Sequence, residues 1–195
     1  AATDNAGPVV ATFASVTEQP YEMYDMFGPY TEVVSLDAFD ATLATGPSVE
    51  FTLNHGAGGG IPMAHTRNAT LTLSAIKDGD ITGLWYEAMV DQTRNDVADM
   101  LKAMQRLDLA ESSFKFRIDS GQWSPDWTEY RILAVSLDRG DVSAVNFGAN
   151  PHTASDMLKH AAPTTVPATT PVAIADEDTA RRVLITDADT RRRTA

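Results

Sequence analysis

Cysteine is absent from the sequence. That excludes a disulfide framework, a thiolate metal site and a cysteine nucleophile together, and it fits a reducing cytoplasm. Positive charge is scarce as well: 15 Lys and Arg stand against 27 Asp and Glu, a formal net charge of −12. This balance argues against a protein that grips nucleic acid through a basic surface. It favours solubility and cationic partners. No stretch approaches the ~18 consecutive apolar residues needed to cross a membrane, and no signal-peptide pattern stands at the front. Neither a nucleic-acid nor a membrane partner is therefore expected. Familiar chemical signatures are missing too. The histidines, His55, His65, His152 and His160, form no HExxH and no close ligand pair, so no metal site is expected. GxSxG does not occur. Gly56-Ala57-Gly58-Gly59-Gly60 runs into Ile61, so GxGxxG fails; the run reads as a turn and implies no cofactor.

What is present suits one domain with a tail. Val9 to Val16 reads as a first strand. Glu18 to Tyr30, with Pro20, Gly28 and Pro29 among aromatics, reads as an ordered loop. Ser35 looks like the cap of a short helix with Leu36, Phe39 and Leu43 on its face, ended by Gly46-Pro47. Leu71 to Ala75 and Leu84 to Val90 alternate around Lys77-Asp78-Gly79-Asp80, as a hairpin does. Asp91 to Leu107 is the clearest helix, with Val97, Met100, Leu101, Met104 and Leu107 on one face and Thr93 or Asp91 as its cap. Asp119 to Trp127 reads as a polar loop. Tyr130 to Leu137 and Val142 to Phe147 read as two strands around Asp138-Arg139-Gly140. The fold class expected is mainly β with flanking helices, α+β, in a barrel or sandwich. Residues 1–160 form the expected domain. In 161–195, Pro163, Pro167 and Pro171 punctuate an extended Thr/Ala-rich linker, which ends in the basic run Arg191 to Arg193.

Two places carry chemistry. In Ser112-Ser113-Phe114-Lys115-Phe116-Arg117-Ile118, Phe114, Phe116 and Ile118 share one face of a strand, and Ser113, Lys115 and Arg117 the other. Ser112 falls with Phe114. Earlier, Val49, Phe51 and Leu53 alternate with polar residues in a strand that runs into Asn54-His55. A serine hydroxyl is a poor nucleophile until a base takes its proton, and a histidine, with an ordinary pKa of about 6.5, suits that task. Ser–His pairs on separate strands serve nucleophilic catalysis on β folds. Taken singly, Ser113 reads as a plain strand hydroxyl and His55 as a satisfied strand-end histidine, the commoner case for each residue type.

Taken with their neighbours, these residues resemble a known family, the prohead (capsid maturation) proteases of tailed bacteriophages, which are serine proteases like herpesvirus assemblin. The likeness runs from about Val10 to Pro151. Thr12 to Val16 is similar to the family's first strand, and Ser35 to Leu43 to its "pGAFdrtL" segment. Phe51-Thr52-Leu53-Asn54-His55 is similar to "alfNHd". Ile61 to Thr66 with Ala69 to Leu73 is similar to "plGrt…gtLrl". Ser113-Phe114-Lys115-Phe116 is similar to "mSfgF", and Asp141 to Pro151 to "EvSvVtfPAnP". Gly56, Ala64, Lys115 and Gly148 depart from the pattern. The resemblance implies a herpesvirus-protease-like closed β-barrel surrounded by helices. It implies His55 as general base, Ser113 as nucleophile and Asp141 as the acid that orients the imidazole. Related viral proteases use a second histidine in that third place. It further implies a serine endopeptidase of the phage procapsid in the host cytoplasm. Its partners would be the major capsid protein and scaffold segments as substrates, with its own chain also cut and a homo-oligomer open. The alternative is a non-catalytic capsid component that keeps the fold, cut from a protease–capsid fusion.

Overall fold

The computed structural model describes residues 7–154; the 161–195 linker lies outside the described residues. From the N-terminus, β1 (Val9–Val16) is followed by the hairpin β2 (Tyr21–Asp25) and β3 (Gly28–Val34). Next come the short helix α1 (Asp40–Ala44), β4 (Glu50–Leu53), the two-residue β5 (Ala64–His65), and the hairpin β6 (Leu71–Asp78) and β7 (Ile81–Met89). Helix α2 (Asn95–Gln105) leads to the long strands β8 (Glu111–Trp123) and β9 (Glu129–Val145). The described residues are thus mainly β with two short α-helices. The strand ladders make two sheets, β1-β7-β6 and a six-stranded sheet built on β9. They do not close into the expected barrel among the described residues.

β9 is the spine of the larger sheet. β8 pairs antiparallel along it from Tyr130 to Val145. Its other edge is shared: β3 runs parallel to Glu129–Ile132, and β4 parallel to Asp141–Ala144. β5 adds to the outside of β4. Bounded on both edges, β9 is buried continuously from Asp141 to Val145, as central strands are. The main core lies between the sheets, with Phe39, Phe51, Tyr86, Met104, Ile132 and Leu137 among its members. A second cluster on the far side of β1 joins Phe13 edge-on to Trp85, ring centroids 5.1 Å apart.

Several local expectations are corrected. Glu18–Tyr30 is mostly the β2–β3 hairpin. Pro20 lies just outside β2, and Gly28 and Pro29 sit at the hairpin's turn end, where a ladder tolerates them. Ser35 caps no helix. Its N–H is bonded to Ile132 O, which prolongs the β3–β9 pairing, and α1 starts only after Phe39, without a side-chain cap. The long helix is shorter than its apolar period. Asp91 Oδ1 accepts from both the N–H and the hydroxyl of Thr93, a local turn that delays the helix to Asn95. At the other end Leu107 is left-handed (φ 68°) and exposed. Asp138-Arg139-Gly140 does not reverse the chain. It is a bulge in one continuous β9, where the ladder skips from Arg117↔Ser136 to Lys115↔Asp141. Arg139 takes φ 62°, and a Cβ on Gly140 would lie 2.0 Å from Lys115 O, so these turn residues serve a bulge. β8 likewise extends through the expected Asp119–Trp127 loop as far as Trp123, where its pairing with β9 continues to Trp123↔Tyr130; a Cβ on Gly121 would lie 2.3 Å from the Tyr130 hydroxyl.

The β6–β7 hairpin matches its sequence signal, with Asp78↔Ile81 closing the turn. Its β7 strand meets β1 across an irregularity between Phe13 and Ser15. There a Cβ on Gly83 would lie 2.0 Å from Ser15 O and 3.1 Å from the Phe13 ring. Gly83→Ala must push two backbones apart, and overpacking of this kind costs about 1–3 kcal/mol. Urea unfolding should show a lower midpoint at unchanged slope. A midpoint equal to the parent's would mean the β1–β7 contact yields freely.

Candidate active site

β4 does not simply stop at Leu53. Asn54, His55 and Gly56 all take positive φ, at 49°, 57° and 67°. A left-handed L-residue costs about 1–2 kcal/mol, so the turn needs anchors. Asn54 Oδ1 accepts from Asn146 N at 3.0 Å, and the Asn54 amide reaches Asn146 Oδ1 at 3.5 Å. The His55 N–H donates to Ser143 Oγ at 3.1 Å. The turn carries the His55 ring back to the sheet, where Nδ1 lies 2.6 Å from Asp141 Oδ1.

The sheet presents two rows of side chains beneath that ring. Residues opposite each other in a ladder share a face. Thr52 pairs with Ser143 and Ser143 with Ser113; Glu50 pairs with Asp141 and Asp141 with Lys115. One row is therefore Thr52, Ser143, Ser113 across β4, β9 and β8, and the next is Glu50, Asp141, Lys115. Ser113 is half-buried, and among the described residues its hydroxyl has no hydrogen-bond partner, His55 included. Ser112 has the opposite fate. It is fully buried, with its hydroxyl 3.0 Å from Ser143 O and 3.3 Å from the Tyr86 hydroxyl. The strand parity of the sequence separates these two serines in the same way.

Asp141 is 3% exposed. Burial pushes its carboxyl up, but the hydrogen bonds from His55 and Ser143 (Oγ to Oδ1, 2.9 Å) and the charges of His55 and Lys115 outweigh it. The carboxyl is held below the usual carboxylate range. Lys115 Nζ is 3.4 Å from Oδ2 but 59% exposed, so its share is screened. An ionised carboxylate only accepts, so His55 Nδ1 carries the hydrogen in this pair, and in the neutral imidazole the lone pair then falls on Nε2. That is the tautomer a general base requires.

The remaining histidines are engaged elsewhere. His65 accepts from Arg67 N at Nδ1 (2.9 Å) and meets Arg67 Nη2 at Nε2 (3.1 Å). His152 Nε2 lies 3.3 Å from Pro20 O, and His160 is outside the described residues. Among the described residues no three His, Asp or Glu side chains converge as metal ligands would. The sequence reading missed Ser143 and Thr52 as members of the site. Their signal was the shared parity of Thr52 with Asn54 on one strand and of Ser143 with Asp141 on the other.

The depressed Asp141 carboxyl sets a pH window. A lowered folded-state pKa gives stability that is fully present above the unfolded aspartate value, about 3.9, and is lost as pH falls through the folded value. The stability gap between the parent and Asp141→Asn should thus be full near neutrality and shrink below about pH 4. Urea midpoints from pH 3 to 7 test this. A gap that stays constant down to pH 3 would show that ionisation of Asp141 contributes nothing.

The family described as Caudovirus prohead serine protease matches residues 1–166, a span that includes all the residues that the structure describes. Among curated proteins and among solved structures, nothing matches the chain. With the greater part of its length matched, the chain belongs to the prohead serine proteases of tailed phages, the proteases of capsid maturation.

Proposed function

We propose that the chain is an active serine endopeptidase that cuts scaffold or major capsid protein segments inside the immature capsid. Ser113 is its nucleophile, His55 its general base and Asp141 the acid that orients the base. The observation that carries this reading is the 2.6 Å His55–Asp141 pair, set over a row in which Ser113 lies one strand from Ser143. Binding of an extended peptide over this face brings the scissile carbonyl to Ser113 Oγ. The hydroxyl oxygen attacks the carbonyl carbon, and its proton passes to His55 Nε2. The resulting imidazolium is stabilised by Asp141, which stays ionised. Collapse of the tetrahedral intermediate breaks the peptide C–N bond, and Nε2 returns the proton to the leaving amine. Water then hydrolyses the Ser113 ester by the same proton route. The Ser113–His55 hydrogen bond forms in the Michaelis complex, as catalytic bonds that are open in the free enzyme do.

The same reading carries cleavage of the enzyme's own chain and a place within the procapsid in the host cytoplasm. It also carries a herpesvirus-protease-like arrangement in which the two sheets are parts of one barrel wall. A non-catalytic capsid component would have no use for a buried carboxylate aimed at a histidine, and the pair favours the catalytic reading.

A fluorophosphonate, which esterifies an activated serine, supplies the test. The parent should be labelled at Ser113, and Ser113→Ala should not be labelled at all. His55→Ala should lose labelling, and Asp141→Asn should be slower by up to the ~10⁴-fold seen when a triad acid is neutralised. Ser112→Ala should still be labelled, although it leaves the buried Tyr86 hydroxyl without this partner. Peptide mapping that places the label on Ser112, or equal labelling of Ser113→Ala, would overturn the assignment.

A further inference from the structure

Ser143 has no step in the reaction above, yet its hydroxyl touches three parts of the site. It lies 2.9 Å from Asp141 Oδ1, 3.1 Å from the His55 backbone N and 2.5 Å from Thr52 Oγ1. Ser143 is fully buried and Thr52 is 3% exposed, so water does not substitute for any of these partners. A hydroxyl has one proton and two lone pairs. The His55 N–H can only donate, so it takes one lone pair. The ionised Asp141 carboxylate can only accept, so it takes the proton. The second lone pair faces Thr52, whose hydroxyl must then donate. Every valence of Ser143 Oγ is used, and its rotor is fixed.

We propose that Ser143 is a positioning residue of this enzyme, oriented by Thr52, that locks the backbone of His55 and the carboxylate of Asp141 into one arrangement before substrate binds. These two groups are the ones that need holding. His55 sits in the middle of a three-residue left-handed turn, and its N–H bonds to Ser143 across strands rather than within a ladder. A carboxylate can rotate about its Cβ–Cγ bond, and Oδ1 of Asp141 is fixed from two directions at once, by His55 Nδ1 and by Ser143 Oγ. One hydroxyl thereby couples a strained turn at the end of β4 to a charge on β9. The inference rests on the reading of Ser113, His55 and Asp141 as the catalytic unit, and it adds a residue that touches neither substrate nor the reacting atoms.

The test compares the full chain with Ser143→Ala, Ser143→Thr and Thr52→Val. Two readouts are taken: the rate of fluorophosphonate labelling, resolved into kinact and KI, and the exchange rate of the His55 amide with the low-field resonance of His55 Nδ1–H by NMR. Ser143→Ala should lower kinact by about tenfold to a hundredfold, the size of one charge-assisted hydrogen bond, with KI unchanged. Its His55 amide should exchange faster, and the Nδ1–H resonance should broaden. Ser143→Thr keeps the hydroxyl and should recover both. Thr52→Val removes one neutral bond and should lower kinact by about threefold to tenfold. A folded Ser143→Ala with parental kinact and parental His55 exchange overturns the proposal. Where Ser143→Ala does not fold, parental values in Thr52→Val overturn it instead. A parent that does not react with the probe refutes the Ser113 assignment alone, since the NMR readouts still decide whether Ser143 holds His55 and Asp141.

Discussion

Keeping one carboxylate ionised inside a sheet is the requirement on which this structure turns. Water would solvate Asp141 at no structural expense, but here it is 3% exposed. An unpaired buried charge is far too costly to persist, so partners must come from elsewhere in the fold. A histidine arrives from the end of β4, a hydroxyl from two residues along β9, and an ammonium from the opposite position on β8. Ser143 and Lys115 are delivered by strand position and register, and His55 by the anchored turn that follows β4. That explains why so short a strand as β4 pairs with the late part of β9, and why β8 is continuous through the site. It also explains the bulge: Gly140 lets the Lys115 carbonyl approach, and the ladder resumes with Asp141 directly opposite Lys115.

Much of this arrangement is legible in the sequence because it rests on period-two alternation. Parity separates Ser113 from Ser112, places Lys115 beside Ser113, and marks β4 and the β6–β7 hairpin, while β1 is read as a short apolar run. Where one residue type serves two geometries, the reading fails. Asp-Arg-Gly fits a hairpin turn as well as a bulge, and only the pairing partner, β8, decides between them. Pro and Gly near β2 and β3 punctuate strands whose apolar residues are few, so the hairpin looks like a loop. Ser35 has the chemistry of a helix cap, but its N–H is already committed to Ile132.

Within the site, the sequence carries the identity of the groups better than their geometry. Asn54-His55 stands out as a motif, but nothing in the letters says that both residues adopt positive φ. That conformation depends on Asn146 and Ser143, about 90 positions later. The contact between Ser143 and Thr52 is invisible for a related reason. Buried hydroxyls are common in strands, and only the register between β4 and β9 brings these two within 2.5 Å of each other.

The position of β9 in the chain has a consequence in time. During synthesis, β3 and β4 emerge long before the strand that they flank, and neither pairs with the other. His55 follows β4 and Ser113 lies on β8, two strands that pair with β9 and not with each other. Contacts this distant in sequence form late, after the local hairpins. A nascent chain that has reached residue 128 already carries Ser113 and His55, the proposed nucleophile and base, but it lacks the strand that aligns them and the Asp141 carboxylate. If Ser113, His55 and Asp141 act together as proposed, proteolytic competence is withheld until β9 has left the ribosome.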